Sequence, residues 1–380
     1  MKSSITRSRI TKTIKTIMNY REIILVTLMF LLTPSILEGQ SARETRILKR
    51  SFPATGDVSL EVTNKYGKVH LSGTEADSVN IRIELIANAS NQSKLKKLID
   101  GVSFDLNSTN YFIIAETKFL KGPANLFESI RSITNNLISS ENRLEINYYI
   151  EVPDFIDIKI DNRYGDIFIE SMPCDLDIRM SNGNLKAEDL TGNNSFDLSF
   201  FDATINSLTK AKINLSYGEI DITESGDLNI VSSSSRINIV NAVNLKIDSR
   251  RDKYFIGEIS GIEGEGYFTD LNIETLVTSA GLKTKYGDLR LENIEPGFDL
   301  FSADSDYTTI EIETSKGMAY NVDIKAVNCP VDIPASWNIE EKVVSEEGKE
   351  YLYYGSTGQV ESGSQMKLSC SKGKVLINEK

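Results

Sequence analysis

A short phrase built on a tyrosine-glycine pair returns along this 380-residue chain and limits the folds open to it. In each clear copy, two alternating apolar residues follow the pair. The four clear copies contain Tyr66-Gly67, Tyr164-Gly165, Tyr217-Gly218 and Tyr286-Gly287. Degenerate copies lie between them, at intervals of 16 to 19 residues after Gly165. A turn that recurs at a nearly fixed interval is typical of repeat proteins.

The alternation inside each copy predicts extended strands. It places Leu176, Ile178 and Met180 on one face of a strand and polar residues on the other. We expect the glycine to supply the positive φ of the turn, after which the chain re-enters a strand. Such repeats, stacked at the strand spacing of about 4.8 Å, would close a continuous apolar core. The sequence therefore predicts an all-β chain that forms a single-chain β-solenoid of two-strand repeats, each about 17–22 residues long.

An antiparallel β-sandwich is the alternative, because it also contains short strands separated by turns. Two stretches depart from the strand pattern. Residues 88–100 and a helical insertion near 124–140 both carry apolar residues at helical spacing.

The N-terminus predicts export. Residues 23–37 form an apolar run with a basic flank before it and Gly39 after it, which is typical of a signal peptide over residues 1–39. A retained membrane anchor is the alternative, although Pro34 interrupts the run before it could cross a bilayer. Translation from Met18 would give a shorter signal. We expect an exported protein of the periplasm or cell surface, with no stable membrane span after cleavage.

The strand and repeat patterns divide the chain after residue 39 into three regions. We expect an N-terminal β region over residues 40–152, with its first repeat at 58–85, and a solenoid domain over 153–330. Residues 331–380 are then a C-terminal cap.

Charge excludes one class of partner. The net charge is −12, and residues 1–40 hold six basic and two acidic residues, so the rest of the chain is more acidic still. An acidic body repels phosphate backbones, so nucleic acid is not an expected partner.

The three cysteines are far apart and lack the spacing of a metal site, so neither a metal nor another cofactor is predicted. One disulfide, Cys329–Cys370, would fit an oxidising compartment. Three buried free thiols would fit the sequence equally well.

The tyrosine-glycine copies, behind a signal peptide, resemble the putative-adhesin domain family of exported bacterial proteins. The segment Leu144–Val152 followed by Pro153 also resembles the strand that leads into that domain. The resemblance covers roughly residues 55–330. It implies a β-helix-like fold and an exported location, and it implies no catalytic residue.

The sequence offers one row of carboxylates as a candidate binding site. His70, the only histidine, lies between Val69 and Leu71 and is expected on the exposed side of its strand. Acidic residues follow the turn in several repeats, and stacking would align them along one edge: Asp166, Asp202, Glu219 and Asp288. Such a row would suit a cation or ligand, but Asn184, Arg236 and Thr309 interrupt it. Asp also favours turns for local hydrogen bonding. Asp304 and Asp306 are expected in a solvated turn.

The sequence thus favours a non-enzymatic exported protein that presents an acidic lateral face for adhesion, ligand binding or envelope structure. Exposed aromatic residues, expected at Phe168, Tyr254 and Tyr267, would add contacts to a glycan or an envelope protein. The alternative is a polysaccharide-active β-helix enzyme that uses carboxylates on adjacent repeats.

Overall fold

A computed structural model describes residues 41–54, 58–120, 142–358 and 363–380. The predicted all-β class is confirmed, because these residues form strands and one short helix. The predicted signal peptide and the insertion near 124–140 lie outside the described residues. Among the described residues, no helix is long and apolar enough to cross a membrane.

The N-terminal part combines the helix α1 (Gln92–Asp100) with several strands. The strands are β1 (Ala42–Pro53), β2 (Ser59–Lys65), β3 (Val69–Thr74), β4 (Ser78–Ala89), β5 (Val102–Ser108), β6 (Phe112–Phe119) and β7 (Arg143–Pro153). The side chain of Asn91 accepts a hydrogen bond from the backbone N–H of Lys94 and so caps the helix. Helical structure was predicted for 88–100, but Asn88 and Ala89 belong to β4.

The middle of the chain is a stack of parallel strands. They are β8 (Ile158–Arg163), β9 (Ile167–Ile169), β10 (Leu176–Ser216), β11 (Glu219–Ser233), β12 (Arg236–Arg250), β13 (Lys253–Tyr267), β14 (Asp270–Leu291) and β15 (Leu300–Thr314). Successive strands from β10 to β14 pair in parallel, and each residue faces the one 17 positions later, as Asp202 faces Glu219. Between β13 and β14 the offset becomes 18 from Gly261 onward. The offset widens to 21 where Lys285 faces Asp306. Parallel neighbours at a fixed offset are what stacked coils produce, whereas the β-sandwich alternative requires antiparallel neighbours.

The core lies between the strands that precede and follow each turn. Ile167, Ile220 and Leu289 are fully buried, as the alternation predicts. Burial of one such side chain contributes about 1.5–3 kcal/mol, so the stack gains stability coil by coil.

The two ends of the stack are built out of chain order. At the N-terminal end, β2 and β3 lie between β8–β9 on one side and β6–β7 on the other. Antiparallel strands then close this end, where β4 pairs with β7 and β1, and β5 pairs with β6.

The C-terminal strands are β16 (Tyr320–Val327), β17 (Val331–Asp332), β18 (Asn338–Ser345), β19 (Glu350–Thr357), β20 (Gln365–Ser371) and β21 (Lys374–Glu379). The last two strands of the chain form a coil inside the stack, because β20 pairs in parallel with both β15 and β16. The β18–β19 hairpin then adds to β16 as the terminal layer. A disulfide joins Cys329 and Cys370, whose Cα atoms lie 6.2 Å apart, and Cys174 is a buried free thiol.

The turns differ from the prediction in one physical respect. The positive φ belongs to the tyrosine and not to the glycine: φ is 66° at Tyr66, 57° at Tyr164 and 57° at Tyr217. A Cβ atom at Gly165 would instead overlap the carbonyl oxygen of Gly67 on the neighbouring coil. The glycine is therefore required by the close approach of stacked backbones, and the expectation that it supplies the turn conformation was wrong.

Candidate functional site: the turn edge

The residues at the positive-φ position of each turn follow one another along an edge of the stack, called here the edge ladder. Its members, in stacking order, are Tyr66, Tyr164, Asn182, Phe200, Tyr217, Ser234, Arg251, Phe268, Tyr286, Tyr307, Lys372 and Asn328. Bulky residues rarely adopt this conformation, because their Cβ atom crowds the backbone at a cost of about 1–2 kcal/mol. The conformation directs aromatic rings out of the core in successive turns.

The rings of the edge ladder stack on one another in three runs. Tyr66 and Tyr164 have ring centroids 5.5 Å apart, and Phe200 and Tyr217 lie 5.1 Å apart and within 9° of parallel. In the third run, Tyr286 stacks on Phe268 at 4.9 Å and on Tyr307 at 5.0 Å. Asn182, and then Ser234 with Arg251, separate the runs. The runs stay solvent-accessible, since Phe200 is 58% and Tyr217 53% exposed.

The predicted carboxylates lie two positions after the ladder, but they do not form a continuous row. Asp202 and Glu219 face each other on neighbouring coils. The next two coils carry Arg236 and Lys253 at the same position. Arg236 Nε lies 3.8 Å from Glu219 Oε1, so two basic residues follow the two carboxylates in the row. The interruption at Arg236 was predicted, whereas Lys253 was missed because its coil lacks the tyrosine-glycine pair that marks the register.

The other two predicted carboxylates have different surroundings. Asp166 Oδ1 accepts hydrogen bonds from the backbone N–H and the side-chain amide of Asn184, at 3.1 and 3.0 Å. Asp288 faces Thr309 on the next coil. Among the described residues, no group of three or more His, Cys, Asp or Glu side chains is arranged to hold a metal ion.

Beside the third run lies a groove of about 590 Å³, called here the aromatic groove. Its lining includes Asp248, Arg250, Glu265, Tyr267, Lys283, Lys285, Asp304 and Asp306. Tyr267 joins the groove to the ladder, because its ring lies 4.7 Å from that of Phe268 at 79° to it. Tyr267 is 43% exposed, as predicted. Asp304 and Asp306 belong to strand β15 and not to the solvated turn predicted for them.

The charges of the aromatic groove are largely paired. Lys283 Nζ lies 3.4 Å from Glu265 Oε1, and Lys285 Nζ lies 3.1 Å from Asp306 Oδ2. The hydrogen bond to Asp306 raises the pKa of Lys285. The groove therefore combines an aromatic wall with hydrogen-bonding groups of nearly balanced charge.

Two other residues singled out in the sequence have contrasting positions. His70 is exposed, as predicted, and its ring lies between those of Phe168 and Tyr149 at 4.9 and 5.8 Å. Tyr254 was predicted to be exposed, and this was wrong, because the residue is fully buried. Its hydroxyl lies 2.7 Å from that of Ser232. Tyr254 pairs with the buried residues Ile237 and Leu271 on the neighbouring strands. The correct strand register would therefore have predicted a core position for it.

Comparison with known proteins gives structural neighbours but no sequence match. No protein-family model and no curated protein matches the chain. A putative cell adhesion protein from Clostridium sporogenes is 11% identical over 90% of this chain and 100% of its own, with a TM-score of 0.18. A putative adhesin from Bacteroides fragilis is 9% identical over 88% and 97%, with a TM-score of 0.26.

A third solved structure, a putative lipid binding protein from Parabacteroides distasonis, is 9% identical over 90% of this chain and 98% of its own. Its TM-score is 0.30. The two adhesin names agree with the family that the tyrosine-glycine motif resembles. At TM-scores this low the likeness carries no argument about function, so the case for the site rests on its own geometry.

Proposed function

We propose that this chain is an exported, non-enzymatic binding protein that holds a saccharide chain along its turn edge, in a role like that of an adhesin. The observation that carries the proposal is the cluster of Tyr267, Phe268, Tyr286 and Tyr307 beside the aromatic groove. Exposed apolar side chains that cluster next to a polar cavity are typical of ligand sites.

The chemistry of the aromatic groove suits a neutral or weakly charged sugar. A sugar ring has an apolar C–H face, which packs against an aromatic ring, and hydroxyl groups, which donate to carboxylates and accept from ammonium groups. Pairs such as Lys285 and Asp306 offer both kinds of partner at fixed positions. Because these pairs neutralise one another, the groove lacks the excess of one charge that a strongly ionic ligand would require.

The repetition of the ladder supports an extended ligand. Runs of stacked rings recur on the same edge at Tyr66, Phe200 and Phe268, so a chain molecule could contact more than one run. Several weak contacts of this kind add up through effective concentration. The predicted signal peptide supports an exported location.

A glycan array followed by calorimetry tests the proposal. We expect binding to a subset of glycans, and a loss of about tenfold or more in affinity for Y267A/Y307A. Tyr111→Ala is the matched control, because Tyr111 is 66% exposed in the turn between β5 and β6 and lies outside the groove. Binding that is equal in all three proteins, or binding to no glycan, would contradict the proposal. Release of products from a polysaccharide panel, reduced in D202N or E219Q, would favour the enzyme instead.

A further inference from the structure

A second groove, of about 640 Å³, lies near the N-terminal end of the stack and is called here the basic groove. Its lining includes Lys49, Arg50, His70, Arg82 and Tyr149. Three permanent cations on one groove contrast with the rest of a chain whose net charge is −12.

The basic groove is built by strands that are distant in sequence and paired in exact register. Lys49 on β1 faces Arg82 on β4, and Arg82 faces Tyr149 on β7. Tyr149 in turn faces His70 on β3. The four side chains therefore form one column across four neighbouring strands, on the outer face of the sheet.

Stacking holds the middle of this column in place. The guanidinium carbon of Arg82 lies 3.8 Å from the centroid of the Tyr149 ring. The His70 ring stacks on the rings of Tyr149 and Phe168. An arginine that is already stacked loses less conformational freedom when its N–H groups bind an anion.

Among the residues that the structure describes, no carboxylate is ion-paired within 4.0 Å with Lys49, Arg50 or Arg82 of the basic groove. The one carboxylate of the lining, Glu151, accepts a hydrogen bond from Asn80 at 3.2 Å. In the aromatic groove, by contrast, two of the three lining cations, Lys283 and Lys285, have carboxylate partners.

From these contacts we propose that the basic groove binds the phosphate group of a phosphorylated saccharide. Arg82 and Lys49 hold the phosphate oxygens through charge-assisted hydrogen bonds, and the outward edges of the stacked Tyr149 and His70 rings contact the attached sugar ring. The site is separate from the aromatic groove and does not depend on the function proposed there.

Calorimetric titration of the purified protein tests this site with four probes: glucose 6-phosphate, inorganic phosphate, glucose and vesicles of phosphatidylglycerol. We expect glucose 6-phosphate to bind more tightly than inorganic phosphate and glucose not to bind. The double variant K49Q/R82Q should weaken glucose 6-phosphate binding by about tenfold or more, as expected for the loss of charge-assisted hydrogen bonds.

The matched control is K246Q/K253Q, which removes the same charge from two lysines that lie outside the groove and are ion-paired with Glu263 and Asp270. The control should bind as the unaltered protein does, and thermal unfolding of both variants should show that they are folded. Equal weakening in the two double variants would mean nonspecific attraction and would overturn the proposal. So would an absence of saturable phosphate binding, or binding to vesicles alone.

Discussion

A methyl group at Gly165 would overlap the carbonyl oxygen of Gly67, which lies on the neighbouring coil of the stack. The partner atom belongs to the backbone and cannot rotate away, so Gly165→Ala should force the two coils apart locally. We expect a decrease of about 1–3 kcal/mol in the free energy of unfolding, measured by urea denaturation.

Gly281→Ala is the control for this change, because no atom lies within 4 Å of the position that its Cβ would occupy. The control should be neutral or slightly stabilising, since alanine restricts the unfolded chain more than glycine does. If G165A were as stable as G281A, the close-approach explanation of the tyrosine-glycine motif would be wrong.

Tyr217 tests the other half of the motif. Its backbone has φ of 57°, and its ring stacks on Phe200 at 5.1 Å. Both Tyr217→Ala and Tyr217→Gly lose the stacking. Alanine keeps the steric strain of the positive φ, whereas glycine adopts that conformation without strain. We expect Y217A to be less stable than Y217G by about 1 kcal/mol in urea denaturation. The opposite order would show that the turn does not retain a positive φ in solution.

These turns show what a sequence alone can predict here. Alternation with period two was sufficient to place Ile167, Ile220 and Leu289 in the core, because successive side chains of a strand point to opposite faces of the sheet. The reason for glycine in the motif could not be predicted, because it depends on a distance between two coils. Tyr254 was misplaced because Asp252, and not glycine, precedes it at the turn, so this copy of the motif was not recognised.

The two grooves were predictable to different degrees. Tyr267 was named from the sequence as an exposed aromatic residue. The basic groove was not predicted at all, because Lys49, His70, Arg82 and Tyr149 come from four separate strands. Those strands pair out of chain order at the end of the stack, and the repeat pattern carries no information about that pairing.

Asp252 is a buried carboxylate that is held by hydrogen bonds and whose role is structural. Its oxygens accept from the hydroxyls of Ser232 and Ser249, at 2.8 and 2.6 Å, and from the backbone N–H of Ser235 at 2.7 Å and of Arg250 at 2.9 Å. In Asp252→Asn an amide N–H₂ group would face donors. We expect D252N to lower the free energy of unfolding by about 1–3 kcal/mol, whereas D248N, at an exposed position, should change it little. Equal stability of the two variants in urea would contradict the assignment.

Alkaline pH should destabilise the fold through its buried tyrosines. Burial raises the pKa of Tyr254 above the ordinary value of 10.0, and it does the same for Tyr148 and Tyr320. The folded protein therefore binds the phenolic proton more tightly than the unfolded chain does. The stabilisation is complete below about pH 10 and is lost as the pH rises above that value.

Tyr254→Phe isolates one of these groups. At neutral pH we expect Y254F to be less stable by about 1 kcal/mol, because the hydrogen bond to Ser232 is lost. Its stability should then fall less steeply with rising pH than that of the unaltered protein, as followed by denaturation midpoints. Tyr111→Phe, at an exposed position, should leave the slope unchanged, and identical slopes in all three proteins would refute the effect.

The disulfide joins two segments near the C-terminus that lie side by side because β16 and β20 are paired. Cys370 lies in β20, which pairs with β16, and Cys329 follows β16, so the bond closes a segment with a sequence separation of 41 that contains the β18–β19 hairpin. Cross-linking a loop of this length restricts the unfolded chain, which corresponds to about 4 kcal/mol in the chain-entropy model and often to less in practice. A reducing agent should therefore lower the urea midpoint of the unaltered protein and leave that of C329A/C370A unchanged. A midpoint that is insensitive to the reducing agent in both proteins would show that the bond does not contribute to stability.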